Sequence, residues 1–433
     1  MSTEQRRTAL LVAFHFPPLQ GSSGIQRTLG FARHLPTHGW DPVVIAPKPM
    51  AYEQSDDAQL GLVPEGVKVY RSLCLDAARH LSIAGRYPDG IARPDRWVSW
   101  VPAALLSALR AVRRHRPSVI WSTYPIATSH IVGHLLAKRA GLPWVADFRD
   151  PMVELNSVTG KWAPPDSRIR EARLKIEKAC DDSAAALVFC TAEALSICRE
   201  RYREDDDPRY RVISNGYEEA IFAEVEARMP PQTDARAQGP IVMLHSGTIY
   251  PTPDRDPTPF FDALKTLKVD GRISSARLKV VLRATGHDGV LAPLLEERGI
   301  QDIVELAPPV TYVDALDEMM SVDCLLLFQG YTSNPAIPAK LYEYLRAGKP
   351  ILGLVAPDGC TAGLLNDLDF GERAEISDRS AIEASLLRTL DGIEAGRMGA
   401  LPADRLASFS RASLSAELAG VFDQVSARRE GAS

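Results

Sequence analysis

The stretch "ALLVAFHFPPLQGSSGIQRTLGFARHLPTHGWDPVVIAP" (residues 9–47) decides the fold class. It holds an apolar run at residues 9–14, a loop of small residues, an amphipathic helical pattern that stops at Gly39, and a second apolar run at residues 41–46. Apolar runs without polar alternation predict strands buried on both faces, and a helix between two of them predicts a parallel pair. The stretch therefore predicts one β–α–β unit.

The same alternation continues along the whole chain, in two series. Apolar runs predict strands at residues 9–14, 41–46, 118–123, 143–148, 185–190 and 211–214, and then at 241–247, 277–286, 302–306, 322–328 and 350–354. Each series predicts a doubly wound α/β sheet with helices on both faces. The predicted organisation is an N-terminal domain over residues 1–217, a linker over 218–240, a C-terminal domain over 241–402 and an amphipathic helix within 403–433.

Composition narrows the class of protein. A chain of 433 residues is too long for one core, and 45% hydrophobic and 24% charged residues are typical of a folded globular protein. A formal net charge of −5 gives no electrostatic case for nucleic acid as a partner. The cysteines form no CxxC pair, which favours reduced structural thiols and a cytoplasmic location. They are Cys74, Cys180, Cys190, Cys198, Cys324 and Cys360.

The loop after the first predicted strand suits a phosphate. Gly21, Ser22, Ser23 and Gly24 let backbone amides approach a ligand at a helix N-terminus, and Arg27 adds a cation in the first turn. An ordinary strand-to-helix turn is equally compatible with these residues.

A matching loop opens the second series, in "HSGTIYPTPDRDPTPF" (residues 245–260). Ser246, Gly247 and Thr248 follow the strand, and Arg255 precedes the next helix. Small residues and a cation suit a diphosphate, while a solvated turn remains the alternative.

A lone carboxylate stands in "NPAIPAKLYEYLRAGKPILGL" (residues 334–354). Glu343 lies within a helix predicted over 338–347 and could accept two hydroxyl hydrogen bonds at once, as a ribose diol offers. Lys340 would be an anion partner or a surface cation. The alternative is an exposed Glu343 that pairs with Lys340 or Arg346.

Three charges, Asp147, Arg149 and Asp150, occur in "ADFRDP" (residues 146–151) at the end of a predicted strand. Active sites of α/β proteins are built at such strand ends. A structural ion pair is the competing interpretation.

Together these stretches resemble glycosyltransferase family 4, the retaining nucleotide-sugar transferases of the GT-B fold, in which two Rossmann-like domains face a central cleft. The resemblance is carried by "FPPLQGSSGIQRTLGFARHLPTHGWDPVVIAP", "RVISNGYEEAIF", "HSGTIY" and "IPAKLYEYLRAGKPIL". "DFRDP" is similar to a branch of bacterial surface-polysaccharide enzymes. In this fold the last helix usually crosses back onto the N-terminal domain.

The resemblance implies a role for each stretch. Donor-binding residues would be Gly247, Thr248, Arg255, Ile337, Pro338, Lys340 and Glu343, with Glu343 on the ribose. The loop Gly21, Ser22, Ser23 and Gly24, with Arg27, would face the donor phosphates and the acceptor. Asp147, Asp150 and Arg255 would be the catalytic residues.

The chain also departs from the family pattern. A glutamate is usual where Pro335 stands, an arginine where Thr248 stands, and a lysine at the position that Arg255 takes. A histidine is usual near Thr123 or Tyr124. These departures leave sugar recognition and the acid–base residue open.

The expected function is transfer of a sugar from a nucleoside diphosphate sugar to an acceptor hydroxyl with retention, in the synthesis of a glycan, polysaccharide or glycoconjugate. A UDP-sugar is the first expected donor and a GDP-sugar the second, with no metal or other cofactor. The acceptor would be a glycan, a lipid-linked sugar or a small molecule. The basic and aromatic residues 86–116 could contact the inner face of a membrane peripherally. A helix with a solvated basic face, followed by a strand, is the favoured alternative for this segment. A sugar-nucleotide epimerase and a non-catalytic nucleotide-sugar-binding protein are the alternatives.

Overall fold

The structure is a computed structural model that describes residues 6–20, 24–156, 159–203, 206–229, 239–250, 255–397 and 401–430. The described chain divides into two compact units. The first unit takes the chain up to Asn215 and again from Arg411, and the second takes Gly216–Ser410.

Strands form one large parallel sheet in each unit. The described strands of the first unit are β1 (Arg7–Ala13), β2 (Trp40–Pro47), β3 (Lys68–Ser72), β4 (Val119–Thr123), β5 (Trp144–Arg149), β6 (Glu154–Leu155), β7 (Trp162–Ala163), β8 (Ala186–Phe189) and β9 (Tyr210–Val212). Those of the second unit are β10 (Ile241–Ser246), β11 (Leu278–Arg283), β12 (Val304–Ala307), β13 (Cys324–Gln329), β14 (Ile351–Val355) and β15 (Glu372–Glu375). The sheet orders are β3-β2-β1-β4-β5-β8-β9 and β12-β11-β10-β13-β14-β15, and β6 pairs with β7 in a separate hairpin.

Helices alternate with these strands in both units. The described helices of the first unit are α1 (Gly24–His34), α2 (Ala77–His80), α3 (Trp100–His115), α4 (Thr128–Ala140), α5 (Ser167–Ser183), α6 (Ala192–Tyr202) and α15 (Arg411–Glu430). Those of the second are α7 (Glu219–Glu226), α8 (Thr258–Val269), α9 (Asp288–Arg298), α10 (Tyr312–Ser321), α11 (Ala339–Ala347), α12 (Cys360–Asp367), α13 (Arg379–Glu394) and α14 (Ala403–Ala407). Short 3-10 helices cover Leu35–His38, Pro49–Ala51, Asp57–Leu62, Asp89–Ala92 and Tyr331–Ser333.

Both faces of the first sheet are buried, as the unbroken apolar runs predict. Leu10 and Val12 of β1 pack with Trp100 in one core, while Leu11 packs with Trp121 in a second core on the opposite face. Successive strand residues point to opposite faces, so a sheet covered on both sides needs apolar residues at every position. This confirms the doubly wound α/β prediction.

The C-terminal helix α15 completes the first unit. Leu418 and Phe422 belong to the same core as Leu11 and Trp121 of the sheet. Helix α15 also lies close to α1, where a Cβ atom added at Gly30 would fall 2.6 Å from Arg411 Cδ.

The segment predicted as a linker begins instead with helix α7, which belongs to the second unit. Phe222 and Val225 are buried in the core of that unit, because an amphipathic pattern gives the segment an apolar face. Residues 230–238 of the same prediction lie outside the described residues.

The structure also bears on the expectation of reduced structural cysteines and on the relation of the chain to a membrane. All six cysteines are free thiols, and five of them are buried. None of the helices in the described part of the chain combines the length and the apolarity needed to span a membrane.

Candidate functional site

In the second unit, the loop after β10 passes close to a lysine. Gly247 has φ +108°, a backbone conformation that favours glycine, and its N–H donates to the Arg283 carbonyl at 2.9 Å. A Cβ atom at this position would lie 2.9 Å from Lys340 Nζ. Glycine therefore lets the Lys340 ammonium reach the backbone at the carboxyl end of the strand. Thr248 follows in the same loop and is half-buried.

The partner of Lys340 is a buried histidine, His245. Lys340 Nζ lies 3.2 Å from His245 Nε2, and His245 Nδ1 lies 2.9 Å from the Leu326 carbonyl oxygen. A carbonyl oxygen accepts only, so Nδ1 carries the proton and Nε2 accepts from the lysine. Burial, and then the charge of Lys340, lower the pKa of His245 well below its ordinary value. His245 is therefore a neutral hydrogen-bond partner that does not balance the charge of the lysine.

Lys340 is a desolvated cation with no anionic partner among the described residues. Its pKa is lowered to about 7, chiefly by burial and then by the charge of Arg255, while Glu343 offsets part of the shift. No carboxylate of the described residues forms an ion pair with it. A bound anion would supply the charge that this position lacks.

Arg255 is held beside the carboxyl end of the neighbouring strand β13. Its Nη2 donates to Gln329 Oε1 at 3.2 Å, and its guanidinium carbon lies 5.3 Å from the centre of the Tyr250 ring. Gln329 Nε2 in turn donates to the Ser333 carbonyl at 3.2 Å. Arg255 adds a second positive charge that acts on Lys340.

Glu343 lies one helical turn after Lys340. Tyr312 donates its hydroxyl to Glu343 Oε1 at 2.7 Å, and the carboxylate is half-buried. Arg346 pairs instead with Glu219 at 2.6 Å and with Glu226 at 2.9 Å. The alternative in which Glu343 pairs with Arg346 is therefore wrong.

The start of helix α11 offers backbone donors. Pro338 is its N-cap residue and gives no side-chain hydrogen bond to the first turn. The preceding Ile337 packs against the apolar core and anchors the loop. Backbone N–H groups at such a helix start favour a negatively charged group.

In the first unit, Asp147 and Arg27 form a buried ion pair. Arg27 Nη2 donates to Asp147 Oδ1 at 2.7 Å and Arg27 Nε to Oδ2 at 3.0 Å, and their side chains are 5% and 0% exposed. Thr123 donates its hydroxyl to Asp147 Oδ2 at 2.7 Å. Arg27 also donates to the carbonyls of Ile213 and Ser214. Burial lowers the pKa of Arg27, but Asp147 outweighs it and the net pKa is raised.

This geometry corrects two predictions. Arg27 does not offer a cation to a phosphate, because its guanidinium is occupied by Asp147 and by two carbonyls. Asp147 is not placed as a catalytic group, because it is fully buried and both of its oxygens accept hydrogen bonds. The structural ion pair, which the sequence left open, is what the structure has. Gly24 is the first residue of α1, and Gly21, Ser22 and Ser23 lie outside the described residues.

Asp150 is the carboxylate of this strand end that remains available. It is half-buried, and burial raises its pKa, more than the neighbouring Arg149 and Arg27 lower it. A carboxyl group of this kind, at the carboxyl end of a parallel strand, can orient a hydroxyl group of a ligand or accept its proton.

Known proteins resemble this chain in one domain and in the overall fold. Residues 23–216 match the family described as "Glycosyl transferase 4-like domain". These residues make up most of the first unit. The full sequence matches no curated protein.

Among solved structures, sucrose-phosphate synthase from Thermosynechococcus elongatus is similar at 15% identity, with a TM-score of 0.66 over 98% of this chain and 100% of that one. HepE of Anabaena, in complex with UDP and glucose, is 12% identical, with a TM-score of 0.58 over 99% of each chain. UDP-GlcNAc 2-epimerase from Methanocaldococcus jannaschii is 10% identical, with a TM-score of 0.57 over 96% of this chain and 99% of that one. At these identities the likeness shows the fold, the GT-B class with two Rossmann-like units.

Sequence reasoning missed three residues of the second-unit site. His245 and Gln329 are polar residues at the ends of strands that are otherwise apolar, and that contrast is the signal that could have found them. Tyr312 lies on another helix, and no local pattern connects it with Glu343. Within the described ranges, no group of three or more His, Cys, Asp or Glu side chains is placed to hold a metal ion.

Proposed function

We propose that this protein is a retaining glycosyltransferase that moves a sugar from a nucleoside diphosphate sugar to an acceptor hydroxyl. The observation that carries the proposal is Lys340, a desolvated ammonium held against Gly247 at the carboxyl end of β10. No carboxylate in the described part of the chain forms an ion pair with it. Ligands of α/β sheets bind at this end, and a diphosphate supplies the missing negative charge.

The donor would occupy the second unit. Lys340, Arg255 and the backbone amides around Gly247 and Thr248 would bind the diphosphate, with the start of α11 at Ile337 and Pro338 alongside. Glu343 would accept hydrogen bonds from the ribose diol, since a carboxylate offers about four acceptor positions and Tyr312 uses one of them. HepE, which has the same fold, was solved with UDP and glucose, and this supports a UDP-sugar ahead of a GDP-sugar.

In the proposed reaction, the bond between the anomeric carbon and the diphosphate oxygen breaks as the acceptor oxygen bonds to the same face of that carbon. The acceptor proton passes to the departing phosphate. Lys340 and Arg255 would stabilise the negative charge that develops on the leaving group. Asp150, in the first unit, would orient the acceptor hydroxyl.

The proposal extends to the setting of the reaction. The acceptor would be a glycan, a lipid-linked sugar or a small molecule in polysaccharide or glycoconjugate synthesis. The protein would act in the cytoplasm or peripherally at the inner face of the membrane, without a metal cofactor.

Thermal unfolding with UDP, GDP, TDP, ADP and CDP tests the donor site. A ligand at a hundred times its dissociation constant should stabilise the protein by about 2.7 kcal/mol. We expect one nucleotide to stabilise the wild type and the Glu343→Ala variant to lose most of that gain. Glu297→Ala, which removes a carboxylate that is 74% exposed, is the matched control and should keep it.

If no nucleotide stabilises the wild type, the donor-site proposal fails. A second measurement separates the alternatives once a donor is known. A transferase releases the nucleoside diphosphate as it glycosylates an acceptor, an epimerase inverts a sugar carbon without needing an acceptor, and a binding protein leaves the donor intact.

A further inference from the structure

Arg149 occupies an unusual position at the carboxyl end of β5. Its φ is +62°, in the left-handed region, and the pairing of β5 with β8 shifts register between Asp147 and Arg149. A residue other than glycine is strained there and stays only where its surroundings hold it. The irregularity turns the Arg149 side chain away from the regular alternation of the strand.

The side chain of Arg149 is buried, and no described residue pairs with it. The residue is 8% exposed, and its Nε is fully buried with no hydrogen bond. Within the described ranges, no ion pair or hydrogen bond joins its side chain to another residue. Buried arginines are normally paired, as Arg27 is with Asp147 two residues before Arg149.

Asp150 follows Arg149 in the chain, but the two side chains form no ion pair. Burial raises the pKa of Asp150 more than the charge of Arg149 lowers it. The carboxylate next to Arg149 in sequence is therefore not its hydrogen-bonded partner. The neighbouring Arg27 is already occupied by Asp147.

Neighbouring strands bring further polar groups to the same sheet edge. β1, β4 and β5 are adjacent in the sheet, and their ends are followed by His15, Tyr124 and Asp150. Burial, and then Arg149, lower the pKa of His15 to about 4, so its imidazole is neutral and adds no charge. Neutral polar groups such as His15 and Tyr124, at the same sheet edge as the Arg149 cation, suit a ligand rich in oxygen atoms.

A second arginine contributes to this edge. Arg173 of α5 donates from Nη1 to the Tyr124 hydroxyl at 3.0 Å and to the Met152 carbonyl at 3.3 Å. Its Nε is buried without a hydrogen bond, and no carboxylate of the described chain forms an ion pair with it. The edge thus holds two arginines whose hydrogen-bonding capacity is not used up by the described residues.

We infer that Arg149, supported by Arg173, binds an oxyanion carried by the acceptor, either a phosphate or a carboxylate. This rests on the proposed function for the role of the ligand, and it deepens that function by naming the chemistry of the acceptor. Arginine recognises both groups through two parallel N–H donors, and burial strengthens such bonds. An acceptor with this charge would be anchored beside Asp150, which orients its hydroxyl.

Calorimetric titration with inorganic phosphate tests the site. Phosphate could also bind at Lys340, so the titration uses the Lys340→Gln protein as its background. We expect that protein to bind phosphate, and the added Arg149→Asn change to weaken binding at least about tenfold. Asparagine tolerates the left-handed backbone, so this variant should fold. Arg149→Lys should lie between the two, because it keeps the charge and loses the paired donors.

An exposed arginine gives the matched control. Arg113→Asn, on the same unit, should leave phosphate affinity unchanged. The inference is overturned if Lys340→Gln protein binds no phosphate, or if Arg149→Asn binds it as tightly as its background does.

Glucose 6-phosphate, glucuronate and glucose identify the anion. We expect one of the two anionic sugars to bind more tightly than glucose and to lose that advantage in Arg149→Asn. If that sugar is glucose 6-phosphate, the oxyanion of the acceptor is a phosphate, and if it is glucuronate, the oxyanion is a carboxylate. Equal binding of all three sugars would contradict the inference. Nucleotide stabilisation through Glu343 is measured separately. If nucleotides stabilise the protein through Glu343 while Arg149→Asn leaves phosphate affinity unchanged, only this inference fails. If phosphate binds at Arg149 but no nucleotide stabilises the protein, the acceptor role of the site is refuted.

Discussion

Each of the two units buries a cation at the carboxyl edge of its sheet, but only the first unit pairs that cation with a described carboxylate. In the first unit, Arg27 meets Asp147 in a two-point ion pair, and Thr123 completes the carboxylate. In the second unit, Lys340 meets a neutral imidazole, His245, at 3.2 Å and is repelled by Arg255.

This difference in pairing distinguishes a charged residue that stabilises the fold from one that is placed to bind a ligand. A cation that a buried carboxylate neutralises, and whose donors mostly end on protein groups, has little left for a ligand, even where it follows a loop of small residues. A cation that the fold desolvates without neutralising is less stable until an anion arrives. We therefore expect changes at Asp147 to affect folding and changes at Lys340 to affect binding.

The largest expected effect is on folding, from Asp147→Asn. The substitution leaves the buried Arg27 without its counter-charge, which costs about 3–5 kcal/mol. All six tryptophans lie in the first unit, so urea unfolding followed by tryptophan fluorescence reports on that unit alone. The control is Asp41→Asn, whose ion pair with Arg6 joins side chains that are 51% and 58% exposed. It should cost less than about 1 kcal/mol, and equal losses would refute the distinction.

A smaller effect comes from two matched hydroxyl groups. Thr123 and Tyr312 each donate to a carboxylate oxygen at 2.7 Å, but Asp147 is fully buried while Glu343 is half-buried. Thr123→Val should cost about 1.5–3 kcal/mol, because water cannot replace the lost bond to a buried charge. Tyr312→Phe should cost less than about 1 kcal/mol, because water reaches Glu343.

Unfolding followed by circular dichroism measures both substitutions. A cost for Tyr312→Phe as large as that for Thr123→Val would mean that Glu343 is a structural carboxylate like Asp147. The proposal that Glu343 accepts from a ribose would then lose its support.

The central strands of both sheets could be predicted from sequence, and two edge strands could not. Val43 to Ile45 of β2 and Leu325 to Phe328 of β13 are apolar because both of their faces are covered. The strands β3 and β15 stand at sheet edges, where "KVYRS" and "ERAE" keep polar residues in partial contact with water. A half-exposed strand needs no apolar run, so the pattern on which the prediction depended is absent there.

The candidate site divides in the same way. The sequence indicated Gly247, Lys340 and Glu343, because small residues and charges directly flank predicted strands and helices. The sequence could not show that Arg27 forms an ion pair with Asp147. The two residues are 120 positions apart, and only the order of the strands in the sheet brings them together. Local sequence shows which charges stand near a strand end. Their pairing depends on tertiary contacts.

The last expected effect is a pH dependence of nucleotide binding, set by Lys340. Its pKa is lowered from 10.5 to about 7 in the folded protein, so between these values the unfolded chain binds more protons and stability rises with pH. Below about pH 7 the lysine is charged in both states and the cost of its burial is fully present. A nucleoside diphosphate favours the charged form, so binding takes up a proton above about pH 7.

Affinity for the nucleotide should therefore fall by up to about tenfold, or 1.4 kcal/mol, for each pH unit above about pH 7. Titration calorimetry in buffers of different ionisation enthalpy measures both the affinity and the proton uptake. His245 faces Lys340 and stays neutral in this range, because burial and the charge of Lys340 lower its pKa well below the ordinary value. In Lys340→Gln the residual binding should be weaker and nearly independent of pH, with no proton taken up. Wild-type affinity that stays constant above pH 7 would mean that Lys340 does not meet the diphosphate, and the contrast with Arg27 would no longer separate binding from structure.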